Sequence, residues 1–233
     1  MSAALELIGL TSGYGSSTVV HDVSLQIAPG EILALVGKNG MGKTSLLKTI
    51  LAFLPARQGT VLVDGRDVTR LPPFRKRTLG LAYAPQEQAL FQDLSVRDNL
   101  RLGLADDRGF EASLADISAW FPVLTARLSQ RAGTLSGGEQ KMLIVARGLI
   151  AQPRLLLLDE VTEGLQPSVV DRLAEVLATT RRDRGTAMLV VEQHLSFVLG
   201  LADRFAVFKG GEVVDTGAVE AGSAARIDEH MRL

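Results

Sequence analysis

The 233-residue chain has no cysteine, which excludes disulfides, thiolate metal sites and iron–sulfur clusters. Its three histidines, His21, His194 and His230, lack the paired spacing that zinc sites use. Charge of one sign is also missing: 25 Lys and Arg face 26 Asp and Glu, a net charge of −1. That balance gives no general attraction to nucleic acid or to an anionic membrane. Two local basic clusters, Arg75-Lys76-Arg77 and Arg181-Arg182-Asp183-Arg184, read as solvated surface. No apolar run approaches the roughly 18 residues that a spanning helix needs. The N-terminus, which carries Glu6, does not have the pattern of a signal peptide. Low-complexity tracts and internal repeats are absent too. The expectation is a soluble cytoplasmic protein that meets any membrane through a partner.

What is present is apolar material, 46% of residues, in a length suited to one large α/β domain or a domain with a small subdomain. Residues 4–10 and 17–27 read as strands, the second alternating through Val19, Val23, Leu25 and Ile27. After a Pro29-Gly30 turn, 31–36 is an apolar run of buried-strand length, followed by a glycine-rich loop and a helix from about 43 to 53. Further strands are expected at 59–63 and 79–84, and helical pattern fills 93–128. Ser136 caps a helix running to Leu149. Strands at 155–158, 187–191, 205–208 and 212–215 then interleave with helices near 168–182 and 195–200. This alternation predicts a largely parallel sheet covered on both faces. The boundaries are one unit of two lobes, a core of 1–86 and 151–233 with an inserted helical subdomain at about 87–150.

Gly37-Lys38-Asn39-Gly40-Met41-Gly42-Lys43-Thr44 fits G-x-x-x-x-G-K-[ST] directly after an apolar strand. Glycines let backbone N–H groups turn toward phosphate oxygens, and the following helix aims its positive end at the same anion. Lys43 is placed to reach the β- and γ-phosphates of a nucleotide, Thr44 offers a hydroxyl to Mg²⁺, and Ser45 adds an α-phosphate contact. The strand 155–158 runs into Asp159, a carboxylate positioned for Mg²⁺. Glu160, one residue on, points elsewhere and is assigned the general-base or water-orienting role.

With Leu135-Ser136-Gly137-Gly138-Glu139-Gln140 standing between these two motifs, the chain resembles the ATP-binding subunits of ABC transporters over essentially its whole length. The resemblance implies a P-loop NTPase core with a mostly parallel sheet, an antiparallel β lobe and the inserted helical subdomain. It implies ATP and Mg²⁺ as cofactors and hydrolysis of ATP to ADP and phosphate, coupled to transport. Tyr14 matches the aromatic that stacks on adenine, and Gln86 the glutamine that senses Mg²⁺ and the nucleophilic water. His194 matches the switch histidine at the γ-phosphate. Ser136, Gly137, Gly138 and Glu139 belong to the signature that contacts a nucleotide held mainly by another subunit. A serine and glycine amides at a helix start suit that task. The implied partners are a second ATPase subunit, like or unlike, transmembrane permease subunits and, indirectly, an extracytoplasmic solute-binding protein, with no nucleic acid. The implied place is the cytoplasmic face of the plasma membrane.

Several passages resemble the branched-chain amino-acid uptake branch: Phe121-Pro122 with Arg127, the Arg131-Ala132-Gly133-Thr134 lead-in, Glu163-Gly164-Leu165-Gln166-Pro167 and Val191-Glu192-Gln193-His194. Urea or short-amide uptake subunits are the second reading. Non-transport members are disfavoured, because the 50 positions between Gln86 and Ser136 (136 minus 86) leave no room for a long coiled coil, and the chain holds one ATPase unit. Three departures stand out. Val161 replaces the usual proline after the catalytic glutamate, which predicts a softer loop around Glu160. Gln166 replaces an aspartate, as this branch commonly does, and Gln86-Glu87-Gln88-Ala89-Leu90 lacks the branch's Gly-Arg pair.

Overall fold

The computed structural model describes residues 2–86 and 89–232, so the Glu87-Gln88 part of that third departure lies outside the described residues. In chain order the strands are β1 (Leu5–Tyr14), β2 (Ser17–Ile27), β3 (Ile32–Val36), β4 (Ala56–Val63), β5 (Arg66–Asp67), β6 (Leu81–Ala84), β7 (Leu155–Asp159), β8 (Ala187–Glu192), β9 (Arg204–Lys209) and β10 (Glu212–Ala218). The helices are α1 (Lys43–Ile50), α2 (Pro73–Thr78), α3 (Val96–Arg101), α4 (Phe110–Trp120), α5 (Pro122–Thr125), α6 (Gly137–Leu149), α7 (Pro167–Arg184), α8 (Leu195–Leu201) and α9 (Ser223–Met231). Two sheets result. One is six-stranded, β10-β9-β3-β8-β7-β6, parallel throughout except for β10; the other is antiparallel, β2-β1-β4-β5.

The central strands β3, β7 and β8 are apolar up to the acids Asp159 and Glu192 that end β7 and β8, because both faces are covered. On β7, Leu155 and Leu157 pack toward α1 and the antiparallel sheet, while Leu156 and Leu158 pack toward α6 and α7. On β8, Leu189 and Val191 follow the first pair, and Met188 and Val190 the second. Each such leucine contributes about 1.5–3 kcal/mol on burial, so four in a row make β7 a rigid base for the acids at its end. The helices α3 to α6 share one continuous apolar cluster with that second face through Val96, Phe110, Phe121 and Leu143.

The helical pattern expected over 93–128 is carried by three helices, α3, α4 and α5; Leu102 to Gly109 separates the first two, with Gly109 at φ 80°. Helix α1 stops at Ile50, short of Phe53, because Ala52 turns left-handed at φ 63° and Phe53 N donates back to Lys48 O at 2.8 Å. Helices α2 and α9 and strand β5 lie outside the sequence expectations. The basic clusters are also corrected. Lys76 is 1% exposed, and its Nζ donates to Ile50 O at 2.6 Å, closing the C-terminal end of α1. Arg181 binds Asp203 Oδ1 at 2.6 Å, and Arg184 binds Asp116 at 2.5 Å while covering the Trp120 ring at 4.9 Å. These cations hold elements together and are not freely solvated.

Candidate functional site

The loop 37–42 leaves the C-terminal end of β3 and enters α1, the place where parallel α/β sheets bind anions. Its backbone admits no side chain at Gly37, where an added Cβ would stand 2.3 Å from Phe208 O. Gly42 caps α1 at φ 99°, a left-handed value that favours glycine. Lys43, 3% exposed, donates from Nζ to Gly37 O at 2.7 Å and Lys38 O at 2.9 Å and pairs with Glu160 Oε1 at 3.0 Å.

The two acids at the end of β7 diverge. Asp159 is fully buried; its Oδ1 accepts from Thr44 Oγ1 at 3.2 Å and its Oδ2 from Tyr83 OH at 3.1 Å. Burial pushes its carboxyl above the usual range, and the two hydroxyl donors pull it back down. The same burial, with Asp159 beside it, raises the Tyr83 phenol, so that group stays a donor. Glu160 takes a left-handed φ of 45° that sends its side chain away from Asp159 toward the loop. Its Oε1 meets Lys43, and its Oε2 accepts from Gln86 Nε2 at 2.8 Å. The same Nε2 donates to Glu163 Oε2 at 2.8 Å. Lys141, from α6, donates to the carbonyls of Gln86 and, at 3.4 Å, Glu160.

A cavity of about 370 Å³ opens here, lined by Val19, Asn39, Gly40, Gly42, Lys43, Thr44, Ser45, Gln86 and Glu160. It brings together most of the expected phosphate and catalytic residues from three separate stretches of chain, with Val19 of β2 added to them. Tyr14 stands at the rim, half exposed, its OH 3.4 Å from Ser45 Oγ. Lys38 is exposed, and Met41 turns into the protein, where its Sδ accepts from Gly210 N at 3.4 Å. His194 is not brought to the cavity: it is exposed, caps α8, and its Nε2 lies 3.3 Å from Ser196 Oγ. Sequence reasoning did not place Tyr83, Val19, Glu163 or Lys141 at the site: Val19 reads as a strand residue and Glu163 as part of a branch-specific passage, while a lone Tyr or Lys carries no site signal.

The signature lies elsewhere. Ser136 caps α6, and with Glu139 it forms a capping box: Glu139 N donates to Ser136 Oγ at 3.4 Å, and Ser136 N donates to Glu139 Oε2 at 2.9 Å. That backbone donor holds the Glu139 carboxyl below its usual range, and Arg127 adds an ion pair at 3.2 Å. Ser136 and Gly137 are exposed, and a Cβ on Gly137 would meet nothing within 4 Å. None of these residues lines the cavity.

Thr44, which lines the cavity, and Asp159, buried behind it, are suited to Mg²⁺. The threonine hydroxyl and the buried carboxylate converge at 3.2 Å, and among the described residues no group of three or more His, Asp or Glu forms a full protein cage. A magnesium ion bound through one or two protein oxygens and phosphate oxygens needs no such cage.

A phosphate loop, two diverging strand-end acids and an outward-facing glycine-rich helix start define an ATP-binding cassette. The sequence profile of the family described as ABC transporter matches residues 20–163. A branched-chain amino acid transport ATP-binding protein, BraG of Pseudomonas aeruginosa, is 38% identical over 209 residues, covering 88% of this chain and 89% of the relative. A probable branched-chain amino acid transport ATP-binding protein, LivF of Archaeoglobus fulgidus, is 34% identical, covering 91% of each. A solved ATP-binding cassette of an ABC transporter in its ADP conformation superposes with a TM-score of 0.87 at 22% identity, covering 98% of this chain and 96% of that one. The chain belongs to the ABC transporter family and is one of its ATP-binding, ATP-hydrolysing subunits.

Proposed function

We propose that this chain energises an importer of branched-chain or other hydrophobic amino acids, working as one of a pair of ATPase subunits beneath a membrane permease. The reading of the chain as half of a paired ATPase rests chiefly on one observation. The phosphate loop, Gln86 and Glu160 share a cavity, while Ser136 and Gly137 are exposed at a separate helix start. The substrate class follows from the relatives named for branched-chain amino acid transport.

Within the site, the loop amides and Lys43 bind the β- and γ-phosphates, Ser45 the α-phosphate, and Tyr14 offers its exposed ring to adenine. Thr44, Asp159 and Gln86 are the residues that would hold Mg²⁺, which supplies charge neutralisation on the phosphate oxygens. Phosphate oxygens compete with Glu160 for the Lys43 ammonium. As the lysine turns to them, the Glu160 carboxylate is freed to accept a proton from water, with Gln86 fixing its other oxygen. His194 reaches a γ-phosphate after a local rearrangement around the start of α8. The second subunit's signature closes the site, and this chain's Ser136, Gly137, Gly138 and Glu139 close the second subunit's.

The chain is read as one two-lobed domain over 1–233, core 1–86 and 151–233 with a helical lobe at about 87–150. Beside the Gln86 segment an apolar groove of about 540 Å³ gathers Phe53, Phe74 and Phe91, each more than half exposed, with Ala89 and Leu102. So large an apolar patch suits a protein partner, and the permease is assigned to it. Among the described residues no helix is long and apolar enough to cross a membrane; in this reading the chain is held at the cytoplasmic face by the permease.

The test is uptake by proteoliposomes holding this chain with its permease, second ATPase subunit and binding protein. Internal Mg²⁺-ATP should drive accumulation of labelled leucine, isoleucine or valine. Accumulation of labelled urea or acetamide with no leucine uptake would overturn the substrate class.

A further inference from the structure

We propose that Glu192 is a positioning residue for hydrolysis, clamping Thr162 and so fixing the turn that carries Glu160. The proposal rests on the reading of Glu160 as the group that receives the water proton. Glu192 is the last residue of β8 and is 1% exposed. Its Oε1 accepts from Thr162 N at 3.0 Å and from Thr162 Oγ1 at 2.9 Å. One residue earlier on β8, Val191 O accepts from Glu160 N at 2.9 Å. Residues 160 and 162 are therefore pinned to consecutive residues of the same strand, and Val161 between them is fully buried in the apolar cluster.

This turn needs such anchoring. Glu160 sits at φ 45°, a backbone state that a glutamate holds only when its surroundings over-determine it. Position 161 carries a valine, so no proline ring limits the next φ. The sequence predicted a soft loop for that reason; the structure instead supplies the restraint from the neighbouring strand. An acid at the buried end of a strand is costly to desolvate, and a shape-filling role alone is met by an apolar residue, as at Val190 and Val191. The Thr162 amide and hydroxyl, with the Gln193 amide, supply the donors that a buried carboxylate requires. With Glu160 Oε1 on Lys43 and Oε2 on Gln86, small turns of this backbone move the carboxylate off line, and misplacements near 1 Å cost about 100-fold in rate.

The experiment compares Glu192→Ala, Glu192→Gln and Thr162→Ala in the full chain assembled with its second subunit, with Mg²⁺-ATP as substrate. Glu192→Ala should lower kcat roughly 10- to 100-fold with KM for ATP within about twofold. Glu192→Gln keeps an oxygen that accepts from Thr162 and should restore kcat to within about threefold of the parent. Thr162→Ala removes one of the two bonds and should cost a few-fold in kcat at unchanged KM. Parental kcat in Glu192→Ala, a matching loss of ATP affinity, or a Gln variant as impaired as the Ala variant would overturn the proposal. Should Glu192→Ala fail to fold, parental kcat in Thr162→Ala does the same. Full activity in Glu160→Gln would sink the underlying reading of Glu160 instead, whatever the Glu192 variants do.

Discussion

Helices α1 and α6 both begin in a run of glycines and small polar residues, and they are finished in opposite ways. At α1 the approach is enclosed. Gly37 lies against Phe208 O, Lys43 is buried on its own loop, and the acids of β7 face it. At α6 the approach is open. The Glu139 amide of its first turn donates to Ser136 Oγ, the Glu139 carboxylate accepts from the Ser136 amide, and Ser136 and Gly137 are exposed. The α1 start carries the lysine and neighbouring carboxylates that phosphate and metal chemistry need; at the α6 start Glu139 is committed to the cap and to Arg127, and Lys141 to the carbonyls of Gln86 and Glu160, which leaves the amides and the serine hydroxyl. The difference is what the proposed pairing calls for: the loop, lysine and acids are gathered on one side, and on the other Ser136 and Gly137 are left exposed at a helix start outside the phosphate-loop cavity.

Breaking the α1 side chemically should have the largest effect. Glu160→Gln is expected to slow hydrolysis by about 10²- to 10⁴-fold while ATP still binds, so that the ATP-bound pair accumulates. Steady-state turnover and analytical ultracentrifugation with ATP check this; unchanged turnover contradicts the base assignment.

Adding one methyl to each glycine run sharpens the contrast. At Gly37 the methyl collides with Phe208 O at 2.3 Å, so Gly37→Ala should cost about 1–3 kcal/mol. At about 2–4 °C per kcal/mol for a chain of this size, that is a readily measured fall in Tm, and ATP binding is lost with it. At Gly137 the methyl meets nothing within 4 Å, so Gly137→Ala should leave Tm unchanged and reduce hydrolysis only in the assembled pair. Equal Tm losses in the two variants would erase the distinction drawn here.

The C-terminal end of α1 gives the smallest effect. Burial pushes the Lys76 ammonium down to about 8 from an ordinary value of 10.5, and the unfolded chain keeps the ordinary value. Between those two values the unfolded state binds more protons than the folded one, so stability rises with pH. From pH 7 to 9 the parent should gain about 1 kcal/mol relative to Lys76→Met, or about 2–4 °C in Tm. A constant Tm difference across that range would show that Lys76 is not desolvated.

The contrast between the two helices was partly legible in the residues. The phosphate loop announces itself because backbone geometry and phosphate charge both restrict residue types, and Lys43, Thr44, Gln86 and Glu160 converge where their order implies. The Leu155-to-Leu158 run announces a two-sided strand because burial on both faces restricts every position to apolar residues. Ser136 with Glu139 three residues on is likewise a readable cap. What stayed hidden depends on partners far away in sequence. Lys76 sits in a basic triplet indistinguishable from solvated surface, and its burial is decided by Ile50 O, 26 residues earlier. Tyr83 serves Asp159 across 76 positions, and Glu192 serves Thr162 across 30. Helix α2 carries no apolar stripe, since its Phe74 is 66% exposed and the side chain it buries is Lys76. His194 is the converse case: order along the chain marks it, while the structure faces it to Ser196.

The central claim is that Ser136 acts on a nucleotide bound by the other subunit. Its most direct test measures Ser136→Arg twice, as ATP affinity of the isolated chain and as hydrolysis by the assembled pair. The account predicts single-chain affinity within about twofold of the parent, because Ser136 lies outside its own cavity, together with loss of hydrolysis in the pair. Loss of ATP binding by the isolated chain, or undiminished hydrolysis by the pair, would contradict it.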